Sequence, residues 1–378
     1  MGDRDLALVL SGGGINGLLL ELGFLKRVRE TPLWPRVGWI YGTSAGALAG
    51  VMAAVDRLDD MEAFVLGLRP EETFRPNRLW QTPLNGLGDY ALPQTLAERL
   101  APIDELAREV ATSPVELLVT VTDVTDGGLP DELHAYVHVY SSRTTPVDVM
   151  ARAVLASAAI SALVLPLRVG DVIGTDGGWV RNFPLGQACD NPAVSEIVGF
   201  RYVSRSTQGS QENLARLRRR LEPFRAVPPV RALIGELRVA EEREERGEPP
   251  HLADMIRRLM RVTVARNTEL EIRSVRARGE SVRALEALRV EVRDTVGRSA
   301  LPWRRRSAVA EIDAIFAGAS FPFRHDRSVP VTLVRGDPGE LSLESSFRPG
   351  LEWPVEAKHA LIELGYDQTA AALSERRD

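Results

Sequence analysis

The stretch LALVLSGGGINGLLLELG, Leu6 to Gly23, decides how the rest of the chain is read. Its apolar opening, LALVL, has the composition of a buried strand, and INGLLLELGFLKRVRE from Ile15 has that of a helix. Between them stand Gly12, Gly13 and Gly14. A strand-to-helix turn without side chains turns consecutive backbone amides toward whatever negative group sits at the helix N-terminus. That group is a phosphate, a dinucleotide or a developing oxyanion. A phosphate loop requires Lys followed by Ser or Thr after its last glycine, and Gly17 is followed by Leu18. The dinucleotide spacing G-x-G-x-x-G is met by Gly12, Gly14 and Gly17, but it requires an acidic residue at the end of the second strand. The second apolar run, VGWIYG, ends instead in Gly42-Thr43-Ser44-Ala45-Gly46.

That ending is G-x-S-x-G between an expected strand and an expected helix, AGALAGVMAAV. A serine on such a turn is lifted clear of the sheet at a helix N-terminus. An acyl-transfer nucleophile also needs oxyanion donors and a base. The amides of Gly12, Gly13 and Gly14, with that of Ala45 beside the serine, are the candidate donors. The base is less evident. Of the five histidines, His134 and His138 fall on one face of an expected strand with Tyr136 and Tyr140, a packing pattern. His251, His325 and His359 lie in no motif, the last two reading as surface residues. Asp176, in GTDGGWVRNFPL, follows a short expected strand and precedes Gly177 and Gly178, which permit close approach. An Asp-Gly pair is also what a plain hairpin turn uses, so taken alone this motif stays open.

Taken together the three pieces resemble the patatin-like phospholipase family. Its marks are a G-G-G-x-x-G loop, a G-x-S-x-G elbow and a later D-G-G or D-G-A, matched here in order by Gly12 to Gly17, Gly42 to Gly46 and Asp176 to Gly178. The run-up ASAAISALVLPLRVGDVIGTDGG, the Asn182 and Pro184 of the following segment, and the closing IELGYDQTAAAL are similar as well. The resemblance covers about Leu6 to Val203 and Val329 to Leu373. It implies a three-layer α/β fold with a mostly parallel sheet. It also implies a Ser-Asp dyad of Ser44 as nucleophile and Asp176 as base, a loop oxyanion hole, an acyl-enzyme, a lipid ester substrate, and no metal or other cofactor. Two positions depart from the family pattern: Asn16 stands where a basic residue is common, and Ser161 where a proline is common.

The remaining sequence sets the domain plan. Strands alternate with helices up to about Val203, which predicts a largely parallel sheet. The rhythm then changes. From Gln211 to Arg306 there are 23 arginines against 15 acidic residues, in a helical pattern. Strand and helix signals return at VPVTLVRGD and in the final 24 residues. The expected plan is a core at 1–205, an arginine-rich helical insertion or cap at 206–320, and a C-terminal strand and helix at 321–378 that complete the core. Within the insertion, MIRRLMRVTVARNTEL (Met255 to Leu270) sets apolar residues beside a basic cluster, the composition of a helix that contacts an anionic membrane. A solvated cap is the plainer reading of it. The chain has 378 residues and one cysteine, Cys189, so no internal disulfide forms. Its N-terminus lacks the pattern of a signal peptide. The expectation is a cytoplasmic protein, peripheral at the membrane, without nucleic-acid partners; the sequence leaves the oligomeric state open. Two other functions fit parts of the sequence: an esterase or thioesterase with a Ser-His-Asp triad, and a non-catalytic or ligand-gated module of the same fold.

Overall fold

The computed structural model describes residues 4–77, 88–125, 136–160, 163–203, 218–219, 222–226, 228–246, 252–319, 328–343 and 352–375. His134, His251, His325 and Ser161 lie outside the described residues. The chain divides into two compact units, Met1–Val203 with Asn267–Asp378, and Ser204–Arg266.

The first unit is built on an eight-stranded sheet of order β10-β9-β1-β2-β5-β8-β7, with β6 on the other side of β5. These strands are β1 (Leu6–Leu10), β2 (Val37–Thr43), β5 (Glu116–Asp123), β6 (Val137–Ser141), β7 (Leu167–Val169), β8 (Val172–Asp176), β9 (Glu196–Tyr202) and β10 (Val331–Gly336). A separate hairpin pairs β3 (Phe74–Pro76) with β4 (Gly88–Tyr90). The five strands from β10 to β5 run parallel, and β6, β7 and β8 add an antiparallel edge. The fold is therefore mixed α/β with a mostly parallel central sheet flanked by helices.

The alternation along β1 shows how the layers form. Leu6, Leu8 and Leu10 point into one core with helix α1 (Gly14–Arg29), helix α2 (Ala45–Ala54) and the C-terminal helix Val355–Glu375. Ala7 and Val9 point into the other, with Phe183, Leu185, Ala188 and Ile272. A central strand covered on both faces reads as a continuous apolar run, as LALVL does. The C-terminal helix lies directly on α1: a Cβ on Gly365 would enter the Leu20 backbone, and one on Gly23 would enter that of Ile362. Buried Lys358 on the same helix donates to the carbonyls of Leu66 and Leu68 at 2.7 and 2.6 Å, at the end of helix Leu58–Gly67.

The arginine-rich segment divides differently from the expected 206–320. The helix Leu252–Ser299 runs unbroken for 48 residues. From Asn267 onward it groups with the sheet-bearing unit. Asn267 donates to the Trp179 carbonyl at 2.6 Å, Gly186 donates to Glu271 at 2.8 Å, and Ile272 is buried in the second core. The arginines on its other faces mask this packing face in the sequence. Among the described residues no helix is long and apolar enough to cross a membrane.

One buried group works against this packing. Glu21 is fully buried on α1, and among the described residues neither carboxyl oxygen has a hydrogen-bond partner. Burial raises its pKa well above the usual carboxylate range. A folded-state pKa above the unfolded one costs stability as pH rises past the unfolded value. Glu21→Gln is therefore expected to raise the melting temperature at about pH 8, with the gain vanishing near about pH 3, where the carboxyl is neutral in both states. Thermal denaturation at the two pH values checks this.

Candidate active site

The sheet register assembles the site. Thr43, the last residue of β2, pairs with Thr120 of β5. One residue further along β5, Val121 pairs with Asp176, the last residue of the antiparallel β8. The C-terminal ends of β2 and β8 thus meet head to head beside the same stretch of β5. Ser44, next after Thr43, comes within hydrogen-bond reach of Asp176: its Oγ donates to Oδ2 at 2.8 Å. Both residues are buried.

Ser44 sits at φ 55° and ψ −120°, immediately before the first residue of α2. A non-glycine residue in this region stores about 1–3 kcal/mol of backbone strain and persists only where its surroundings enforce it. The enforcing contacts are identifiable. The Ser44 amide donates to Ser157 Oγ at 2.9 Å, and that hydroxyl donates to the Thr120 carbonyl at 2.7 Å. On either side, a Cβ on Gly42 would meet the Gly46 carbonyl at 2.5 Å, and one on Gly46 would meet the Leu10 carbonyl at 2.6 Å. The elbow closes only with small residues at these places.

Asp176 is held from both ends. Its amide donates to the Ala159 carbonyl at 3.0 Å, and its own carbonyl accepts from Thr122 Oγ1 at 2.8 Å. Its Oδ1 accepts the Gly178 amide at 2.7 Å, leaving Oδ2 for the serine. Burial pushes its pKa up to about 6, against the opposing pull of the Gly178 amide and the Ser44 hydroxyl. Gly177 lies against the Thr120 carbonyl with no room for a Cβ. The Tyr90 phenol, on the β3–β4 hairpin, donates to the Leu155 carbonyl at 3.1 Å. Its pKa is raised mainly by burial and further by the Asp176 charge.

The segment after Asp176 ties the three loops together. Thr43 Oγ1 donates to the Arg181 carbonyl at 3.0 Å. Asn182 accepts the Gly12 amide on its carbonyl at 3.1 Å and returns a side-chain hydrogen bond to the Gly12 carbonyl at 3.3 Å. The Gly12 amide is thereby occupied, which corrects the expectation that it points inward with those of Gly13 and Gly14. Among the described residues, the amides of Gly13, Gly14 and Ala45 have no acceptor. Gly14 opens α1 at φ 57°, and the Gly17 amide closes the first turn onto the Gly13 carbonyl at 3.0 Å. Asn16 is also committed: its side chain donates to the Leu343 carbonyl at 2.9 Å and accepts the Leu343 amide at 2.7 Å. Ser157, Thr122 and the Thr120 carbonyl carried no sequence signal, because their roles depend on the register of β5 with β2 and β8 and on where the helix Val147–Ser157 ends.

The two described histidines lie in other surroundings. His138 Nε2 is 3.0 Å from Asp123 Oδ2, and His359 is exposed on the C-terminal helix.

Residues 8–189 match the family model for patatin-like phospholipase. Over that span the chain resembles a patatin-like phospholipase domain. The matched span contains Gly12, Ser44 and Asp176, the three points at which the loop, elbow and acidic residue converge. Two mycobacterial proteins described as uncharacterized NTE family proteins, from Mycobacterium bovis and Mycobacterium tuberculosis, are each 27% identical to this chain over 193 residues. That alignment covers 49% of this chain and 28% of either relative, so the chain spans only a small part of the length of the proteins it matches. Among solved structures, VipD from Legionella pneumophila aligns over 98% of this chain and 67% of its own at 13% identity, with a TM-score of 0.43.

Proposed function

We propose that the protein is a serine lipid acyl hydrolase of phospholipase A type, cleaving carboxylic esters of phospholipids or related lipids through Ser44 and Asp176. The observation that carries this reading is the 2.8 Å hydrogen bond from Ser44 Oγ to a buried carboxylate whose pKa is raised to about 6. An ordinary aspartate, near pKa 4, is a weak base; burial brings this one closer to the pH at which it works. In acylation, Ser44 Oγ attacks the ester carbonyl carbon and its proton passes to Asp176 Oδ2. The carbonyl oxygen becomes an oxyanion facing the amides of Gly13, Gly14 and Ala45. Collapse expels the lysolipid alkoxide, which takes the proton from Asp176. Water then gives a proton to Asp176 and attacks the acyl-serine, releasing the fatty acid and restoring the Ser44 hydroxyl.

A Ser-His-Asp triad is the competing chemistry. The hydrogen bond from Ser44 directly to Asp176 favours the dyad. Substituting each of the five histidines in turn tests this: the dyad reading expects hydrolysis to survive every one.

The base also fixes a pH profile. Asp176 accepts a proton only when ionised, so kcat/KM is expected to fall on the acid side with an apparent pKa of about 6 and to level off above it. A rate that continues to climb well above neutrality would point to another base. The direct test of the function is fatty-acid release from phospholipid vesicles and from a soluble p-nitrophenyl ester. A ratio favouring vesicles supports a lipid substrate, and hydrolysis of the soluble ester alone contradicts it. Contact with an anionic membrane through the arginine-rich segment is part of the same reading. On the helix Leu252–Ser299, Met255, Leu259 and Val262 are exposed at i, i+4 and i+7, a continuous apolar stripe.

A further inference from the structure

Among the described residues, the most exposed large apolar side chain lies far along the chain from the catalytic motifs. The helix Leu252–Ser299 and the helix Arg305–Gly318 form a hairpin, clamped by Arg289 and Arg293 on Asp313 at 3.0 and 3.6 Å. The turn between them is Ala300-Leu301-Pro302-Trp303-Arg304. Trp303 is 77% exposed and Leu301 55%. Arg304, Arg305 and Arg306 follow directly and are exposed, and Arg298 stands one turn before. From Thr295 to Ala310 the sequence has these four arginines and no acidic residue. Among the described residues none of the four has an ion-pair partner.

Each feature alone is ordinary, and together they have one chemistry. An isolated surface apolar residue needs no explanation. A tryptophan and a leucine at the end of a clamped helical hairpin, ringed by uncompensated guanidinium groups, match the boundary between headgroup and acyl chain. Indole rings concentrate at that depth, and arginine forks bind phosphate oxygens just above it. A nucleic acid or an acidic protein would match the charges but would leave the Leu301–Trp303 apolar tip without a partner. We infer that the turn Leu301–Arg306 is a membrane anchor, in which Leu301 and Trp303 enter the bilayer interface and Arg298, Arg304, Arg305 and Arg306 engage anionic phospholipid headgroups. The anchor deepens the reading of the protein as a lipid hydrolase, but its binding needs no turnover. It is distinct from the Met255–Val262 stripe.

The test uses the full chain with Ser44→Ala, so that binding is measured without hydrolysis. Cosedimentation is compared on vesicles of phosphatidylglycerol with phosphatidylcholine and on vesicles of phosphatidylcholine alone. The anchor expects preference for the anionic vesicles. It expects Leu301→Ala/Trp303→Ala to weaken binding by about tenfold or more. Replacing Arg304, Arg305 and Arg306 with Gln is expected to cost about fivefold per charge at low salt. Brominated lipid should quench the emission of Trp303, read as the difference between the parent and Trp303→Phe. In the active background, Leu301→Ala/Trp303→Ala should keep hydrolysis of a soluble ester while losing activity on vesicles, which separates a failed anchor from a failed active site. Equal binding by the parent and the Leu301/Trp303 variant overturns the inference. So does absence of binding to anionic vesicles, or a loss produced only by Met255→Ala/Leu259→Ala.

Discussion

Ser44→Ala is expected to lower fatty-acid release by ~10^4-fold or more on both vesicles and soluble ester, and Asp176→Asn by about 10^2- to 10^4-fold. The first removes the atom that forms the acyl-enzyme. The second preserves the shape of the side chain and removes its capacity to take a proton, so the acid limb near pH 6 should vanish with it. The two effects should not add. Once the nucleophile is gone the base has nothing to deprotonate, and the double variant should resemble Ser44→Ala alone. Neither change should unfold the protein. Ser44→Ala deletes a single oxygen, and in Asp176→Asn the side-chain amide oxygen can still accept the Gly178 amide. Comparison of initial rates for the three variants, with melting temperatures alongside, checks all of this.

Gly177→Ala is expected to be nearly as damaging to catalysis, for a different reason. The residue has φ −64°, which any residue adopts, so no backbone preference is involved. Its Cβ would enter the Thr120 carbonyl, which already accepts the Ser157 hydroxyl that holds the Ser44 amide. The two closest atoms are Thr120 backbone, which cannot swing aside, and the Thr43 methyl follows at 3.0 Å. Relieving the clash must pull the end of β8 away from β5, and Asp176 with it. Overpacking of this kind costs about 1–3 kcal/mol of stability, and a displacement of about 1 Å at the reacting groups costs about 100-fold in rate. The expected result is a folded protein with a lower melting temperature and at most about a hundredth of the activity. Full activity in Gly177→Ala would mean that Asp176 is not where the base acts.

The candidate site is legible where chemistry is written in consecutive residues. The glycine loop, the elbow around Ser44 and the Asp-Gly-Gly segment each carry their meaning locally, because tight turns need small residues at fixed offsets. LALVL and VGWIYG announced central strands through their unbroken apolar character. What the sequence did not disclose depends on register. Nothing in ASAAIS marks Ser157 as the bridge between the Ser44 amide and the Thr120 carbonyl. Nothing in the glycine loop shows that Asn182, 170 residues away, occupies the Gly12 amide. The boundary of the arginine-rich segment was obscured because one face of a long helix packs while the others are charged. Asn16, read first as a missing positive charge, is a buried tie between α1 and Leu343.

The proposed chemistry makes Ser44 the nucleophile and Asp176 the base that activates it. The most direct measurement is covalent labelling with a fluorophosphonate probe, followed by peptide mapping of the modified residue. A single adduct is expected on Ser44, absent in Ser44→Ala and formed much more slowly in Asp176→Asn. An adduct on another serine, or an unchanged labelling rate in Asp176→Asn, would contradict it.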